Sequence, residues 1–240
     1  MIDAHCHLVD IKNVDFTQFS EMEAIVNSGY DVCSSSKAVY MKLNRAAGDV
    51  HLYANVGIGP QKCMGPDAMQ GVREIEGIIR GNEKVIDAIG EVGLDYHWGD
   101  TEDKRRMQKQ AFVAMIALAK ELQKPIVIHS RQATAECIRI LDEAKFEYGV
   151  MFHFFSGNLE EAKDISDRGW LVSLPPLRGG RISIARALDL ESIAAETDAP
   201  YVGKTPLDVK ESIRIIAEAK GAEFHEVEKC TSANVRRLFK

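Results

Sequence analysis

Apolar, β-leaning runs punctuate the chain at near-regular intervals: Met1–His7, Tyr30–Ser34, Leu52–Ile58, Val85–Val92, Pro125–His129, Val150–Phe154, Trp170–Leu174 and Ser192–Thr197. Between most of them apolar residues return at helical spacing, over Asp67–Arg80, Thr101–Gln123, Gln132–Phe146, Leu159–Arg168, Ser183–Leu188, Leu207–Ala219 and a last stretch leading to Phe239. Thr101–Gln123 is the clearest: Thr101 can cap it, acidic residues fill its first turn, and Met107, Phe112, Met115, Ile116, Ala119 and Leu122 form one stripe. Eight runs in 240 residues give one strand–helix pair per 30 residues, the beat of βαβ units around a parallel sheet. The pattern predicts an α/β protein with a single (β/α)8 barrel of TIM type, one domain over 1–240. No Gly-x-Gly-x-x-Gly follows the first run, which argues against an open dinucleotide-binding sheet. The second unit, whose helix after Ser36 is poorly marked, and the seventh, with a short helix, fit the beat least well.

Composition narrows this frame. A hydrophobic share of 45% excludes a disordered chain. The longest uncharged apolar run, Ala111–Ala119, falls far short of the roughly 18–20 residues of a membrane span, so no membrane partner is expected. Met1-Ile2-Asp3-Ala4-His5 has neither the basic nor the apolar region of a secretory leader. Five scattered cysteines without a Cys-x-x-Cys argue against a disulfide framework or a cysteine-rich zinc module, and a reducing cytoplasm fits best. The formal charge of −6 means that a nucleic-acid partner would have to be held by a local basic patch.

The polar residues that interrupt the strands fall near their C-terminal ends, which in a parallel barrel meet on the rim that carries active sites. His5 and His7, two apart on a strand, point to the same side. Glu91 sits in Ile89-Gly90-Glu91-Val92-Gly93-Leu94-Asp95, where flanking glycines would leave room for a bulky ligand or ion. His129 closes the fifth run, His153 interrupts the sixth, and Asp198 follows the eighth. Each alone has a structural explanation as a hydrogen-bonded core residue or a cap. Together, four imidazoles and two carboxylates are too many for one tetrahedral site and suffice for two divalent cations sharing a carboxylate. His51, at the start of a strand, and His225 are read as structural; His97, in the loop after the fourth strand, can reach substrate.

The segments Asp3-Ala4-His5-Cys6-His7, Gly90-Glu91-Val92-Gly93-Leu94-Asp95-Tyr96, Pro125-Ile126-Val127-Ile128-His129-Ser130-Arg131, Phe152-His153-Phe154-Phe155-Ser156-Gly157, Glu196-Thr197-Asp198-Ala199-Pro200-Tyr201 and Asn234-Val235-Arg236-Arg237-Leu238-Phe239 resemble the TatD family of metal-dependent deoxyribonucleases, in the amidohydrolase superfamily. The resemblance runs from Met1 to Phe239, in the family's order and spacing. It implies a TIM-type barrel, divalent metals and hydrolysis of DNA phosphodiesters, often with 3′-to-5′ exonuclease polarity. Carried over residue by residue, it implies that His5, His7 and Asp198 bind one metal, Glu91 bridges, and His129 with His153 holds a second. It places Asp95 and Arg131 near the site as supporting or substrate-contacting residues.

Three segments depart from the family pattern. The usual Gly-x-His-Pro after the third strand is Gly57-Ile58-Gly59-Pro60-Gln61, which leaves that rim a histidine contact short. His-Cys-Phe-Ser-Gly becomes His153-Phe154-Phe155-Ser156-Gly157, which spares the ligand. The segment after Tyr201 is shortened to Val202-Gly203-Lys204-Thr205-Pro206, weakening the expected phosphate grip there.

The mechanism expected is attack by a metal-activated water, one or two cations of Zn²⁺, Mg²⁺ or Mn²⁺ supplying the activation, Asp198 acting as general base beside Glu91, and Asp3 orienting one of the histidines. No organic cofactor is called for. Arg131, Arg178, Arg181 and Lys204 lie on rim loops and would supply the positive patch for DNA. The alternative keeps the metal and changes the bond, making the protein an amidohydrolase, lactonase or deacylase acting on a small molecule; an acidic chain with altered loops would suit it. No strand-terminal lysine stands where a carbamylated bridging ligand would be needed, and Glu91 fills that role, which favours the TatD-like branch. A barrel that only binds partners would have lost a ligand, whereas all six are present.

Overall fold

The protein is described by a computed structural model over residues 1–45 and 50–240. Eight strands stand in one sheet in chain order: β1 (Ile2–Cys6), β2 (Ala24–Ser28), β3 (His51–Val56), β4 (Ala88–Asp95), β5 (Ile126–Arg131), β6 (Val150–His153), β7 (Leu171–Leu174) and β8 (Ile193–Ala195). The helices are α1 (Val32–Leu43), α2 (Ala68–Gly81), α3 (Glu102–Glu121), α4 (Thr134–Glu143), α5 (Leu159–Asp167), α6 (Gly180–Ala187), α7 (Val209–Lys220) and α8 (Phe224–Leu238). Parallel strands alternating with helices in this order make up the (β/α)8 class expected from the sequence.

Several elements differ from expectation. Tyr30–Ser34 is not a strand; the second strand comes earlier, at Ala24–Ser28, and Val32–Leu43 is helical. Asp31 accepts the Ser34 N–H at 2.8 Å while the Ser34 hydroxyl accepts the Asp31 N–H at 3.0 Å, a reciprocal capping box that starts a helix where apolar content alone suggests β. The link from β1 to β2 holds only short 3₁₀ turns at Leu8–Asp10 and Phe16–Phe19, and β8 is followed by two helices, so helices and strands do not pair one to one. In α3 the Thr101 cap and acidic first turn are present, but the fully buried polar Gln108 takes the place on the inner face expected of the half-buried Met107.

The described chain divides into two compact units: residues 1–27, 45–53 and 151–240, and residues 28–44 and 54–150. In the first, β1 pairs with β2 through Ile2 opposite Ala24 and Asp3 opposite Ile25, and β7 pairs with β6 and β8. The chain just past β8 lies along β1: Asp198 donates its N–H to the His5 carbonyl at 2.9 Å, and His7 donates to the Ala199 carbonyl at 2.7 Å. Helix α8 is tied beneath by Asn234, whose amide donates to the Leu190 and Ile193 carbonyls, and by Ser232, which accepts the Ile2 N–H. In the second unit β4 pairs with β5, Gly93 opposite His129 and Asp95 opposite Arg131, and Ile75, Ile79, Phe112 and Leu141 bury the helix faces.

Candidate metal centre

In the first unit, β1 and the turn after β8 bring together the ligand atoms the sequence singles out. His5 Nε2 and His7 Nε2 lie 3.3 Å apart, and Asp198 Oδ1 is 3.3 Å from His7 Nε2 and 3.9 Å from His5 Nε2. Ligands on a tetrahedral ion at bonds of about 2.0–2.1 Å stand about 3.4 Å from one another, so this triad has the span of a cation site. Asp198 takes a left-handed backbone (φ +50), a conformation aspartate tolerates better than most residues. Burial pushes its carboxyl upward, but the His7 hydrogen bond and the charges of His5, His7 and His153 outweigh that and hold it below the ordinary carboxylate range.

His153, at the end of β6, stacks face to face on His5 with ring centroids 3.8 Å apart. Glu196 joins these two in a second group of convergent ligand atoms, and it is fully buried. Sequence reasoning did not assign Glu196 a role. Its one visible signal is that it stands two residues before Asp198. Burial drives its carboxyl well above the usual range, reinforced by Asp198, while the Ser173 hydroxyl and the Phe154 N–H donate to it. Asp3 accepts the Thr197 N–H at 2.9 Å, the Thr197 hydroxyl at 2.6 Å and the His5 N–H at 3.3 Å, so it joins the β1 and β8 backbones; burial pushes it up to about 8 against those bonds.

In the second unit Glu91 is buried on β4 and His129 stands on β5, its Nδ1 3.9 Å from Glu91 Oε1. Asp95 Oδ2 accepts from His129 Nε2 at 3.0 Å and from Gln61 Nε2 at 2.7 Å. Because Nε2 carries the proton in that arrangement, Nδ1 keeps the lone pair, and it is the ring nitrogen nearer Glu91. Burial raises Asp95, and the His129 bond and charge more than offset it, leaving it below its ordinary value. The residue is pinned as well as charged: Gln108 of α3 accepts the Asp95 N–H at 3.0 Å and donates to its carbonyl at 3.1 Å.

The histidine contact expected to be missing after β3 is filled by Gln61, which reaches both Asp95 and His129. At Gly59 a Cβ would come 3.0 Å from Glu91 Oε1, so the residue in the histidine's place keeps that carboxylate uncovered. The glycines around Glu91 have a different purpose from the ligand clearance expected of them. A Cβ at Gly90 would meet the Val127 carbonyl at 2.7 Å, and one at Gly93 (φ +140) the His129 carbonyl at 2.1 Å, so both let β4 pack against β5.

The remaining residues sort by exposure. His97 and Arg131 are exposed beside Asp95, and the His97 N–H donates to it at 3.1 Å. Arg178 is tied to Glu218 of α7 at 2.9 Å, which removes it from the basic patch. His225 sits on the surface against Glu228, and His51 packs edge-on to Tyr53.

Comparison with known proteins places this arrangement in a family. The TatD related DNase family model matches residues 2–240. A metal-dependent hydrolase of Methanocaldococcus jannaschii is 32% identical over 100% of this chain and 96% of its own length. Deoxyribonuclease TATDN3 of Homo sapiens is 34% identical over 68% of this chain and 63% of its own. In fold, the chain is similar to a TatD family hydrolase of Entamoeba histolytica, with a TM-score of 0.87, 17% identity, and 100% and 97% of the two chains covered. With the match running almost from end to end, this chain belongs to the TatD family of metal-dependent hydrolases.

Proposed function

We propose that the protein is a deoxyribonuclease that hydrolyses DNA phosphodiester bonds with divalent cations, in the 3′-to-5′ exonucleolytic manner common in the family. The observation that carries this reading is the convergence of His5 Nε2, His7 Nε2 and Asp198 Oδ1 at the mutual distances of ligands on one ion. Two imidazole nitrogens and a carboxylate at these distances are held together by a shared proton or a cation, and the donor set fits a metal. The name of the human relative, a deoxyribonuclease, supports DNA as the substrate.

His5, His7 and Asp198 would hold one cation, with His153 beside them. The family pattern assigns Glu91 and His129 as ligands as well, giving two cations drawn from Zn²⁺, Mg²⁺ or Mn²⁺. When bound, such a cation supplies a water that ionises near neutral pH and polarises the phosphoryl oxygen. Asp198 is the base that takes the proton from the attacking water, and Glu91 is the second catalytic carboxylate. Asp95 fixes the tautomer of His129, and Asp3 fixes the β1 and β8 backbones that carry His5 and Asp198.

The test is a metal-resolved screen: protein stripped by chelation, reloaded with Mg²⁺, Mn²⁺ or Zn²⁺, and assayed on single-stranded DNA, duplex DNA, RNA and simple esters. Cleavage of DNA with at least one cation is expected. A loaded enzyme that hydrolyses only the esters would establish the small-molecule alternative instead. In parallel, His5→Ala and Asp198→Ala should lose bound metal by elemental analysis; metal content equal to wild type would overturn the ligand assignment.

A further inference from the structure

Arg181, read from the sequence as a rim-loop cation, lies in the first turn of α6 in the first unit. It is half-buried, yet among the described residues it makes no hydrogen bond or ion pair, and its Nε is sealed from solvent without a partner. Other arginines of the chain, such as Arg80, Arg139, Arg178 and Arg236, are matched to carboxylates. Removing part of a guanidinium from water without compensation is costly, and burial accordingly lowers the pKa of this group, against the attraction of Glu196.

The surroundings hold it in place. Its guanidinium carbon lies 4.9 Å from the centroid of Phe154, the residue after His153. Phe154 is in turn fixed: its backbone is left-handed (φ +47) and its N–H donates to Glu196 Oε1 at 2.7 Å. Glu196 belongs with His5 and His153 to one group of convergent ligand atoms. Both oxygens of Glu196 are engaged by Phe154 and Ser173, and among the described residues no direct ion pair joins Glu196 to Arg181. The result is a planar guanidinium packed over the ring of Phe154, the neighbour of His153 in the chain, with no protein acceptor among the described residues.

We propose that Arg181 is the anion-recognition residue of this site, its fork taking the non-bridging oxygens of a substrate phosphate, with Phe154 as the positioning residue beneath it. The inference deepens the nuclease reading and rests on it for the identity of the substrate, since a phosphodiester offers the paired oxyanion geometry the guanidinium fork matches. It also explains how an acidic chain lacking the family's longer segment after Tyr201 would still grip a phosphate.

The experiment is isothermal titration of inorganic phosphate, and separately of acetate, into the metal-loaded protein and its Arg181→Gln, Arg181→Lys and Phe154→Leu variants. Metal content and melting temperature are recorded for each. Arg181→Gln should weaken phosphate at least tenfold with metal content unchanged, Arg181→Lys less, and Phe154→Leu several-fold. On a DNA substrate the same variants should raise KM more than they lower kcat. Phosphate binding that is absent in wild type, or equal in wild type and Arg181→Gln, overturns the assignment, as does an Arg181-dependent preference for acetate. If Arg181→Gln loses its fold or its metal, Arg181→Lys decides: phosphate binding and KM indistinguishable from wild type in both Arg181→Lys and Phe154→Leu also overturn it. An enzyme that does not cleave DNA but loses phosphate binding in Arg181→Gln would refute the nuclease reading alone.

Discussion

Asp95 receives hydrogen bonds from His129 and Gln61 at one oxygen, and the backbone N–H groups of His97 and Trp98 at the other. Four donors on one buried carboxylate keep it ionised and fix the tautomer of His129, so that Nδ1 faces Glu91. Gln61→Leu removes one donor without adding charge. It is expected to weaken metal binding by roughly 10- to 100-fold, the usual cost of losing a supporting partner of a ligand, while the melting temperature of the metal-free protein stays close to wild type. A competitive metal-chelator titration of both proteins checks this, and an unchanged affinity would show that Gln61 only fills space. Glu196 and Gln61 escape a sequence reading because their importance lies in what they touch. A glutamate before Asp198 and a glutamine after a Gly-Pro turn have nothing local to set them apart.

At the scale of the element, the start of α1 shows how a cap can override composition. Tyr30-Asp31-Val32-Cys33-Ser34 has the apolar content of a strand, but Asp31 and Ser34 satisfy each other's backbone N–H groups and commit the segment to a helix. Burial raises the Asp31 carboxyl, and the Ser34 bonds and Lys62 outweigh it, so its pKa is lowered on folding. The sign follows directly: a depressed folded-state pKa contributes stability that is present above the ordinary value of 3.8 and is lost as pH falls below it. Asp31→Ala should therefore cost about 1 kcal/mol at pH 7, and the gap from wild type should shrink below about pH 4. Asp31→Asn should retain most of the cap at pH 7. Urea unfolding of the three proteins from pH 7 to pH 3 measures this; a gap that widens in acid would contradict it.

Across the whole molecule, the formal charge of −6 bears on the proposed DNA substrate, a polyanion. Two bound divalent cations would bring it to about −2, and with Arg178 committed to Glu218 the rim cations read from the sequence are reduced to Arg131, Arg181 and Lys204. DNA recognition should then depend only weakly on salt. With one or two phosphate contacts on a single strand, raising KCl from about 50 to 200 mM should increase KM by less than about tenfold. A steeper dependence, read from KM at graded KCl, would reveal a broad basic groove. Metal should also stabilise the fold: at a free concentration of about 100 times its Kd the gain is about 2.7 kcal/mol, seen as a melting temperature that falls on chelation in wild type and stays fixed in His5→Ala. Among the described residues no helix is long and apolar enough to cross a membrane.

Periodicity by itself determined the α/β class, most strand positions and the candidate ligand residues that the family resemblance then sorted, because strand parity and the placement of polar residues at strand ends are written locally in the chain. His5, His7 and Asp198 could be named from the sequence although they lie nearly two hundred residues apart, since a parallel fold delivers strand ends to one rim. What only the tertiary structure decided were the contacts between those ends: Gln61 on Asp95, Gln108 beneath it, Glu196 under Phe154, and the glycines of β4 serving strand packing. Each depends on which side chain another element brings within 3 Å or so, and a hydrogen bond is a property of two positions in space that no single stretch of sequence encodes.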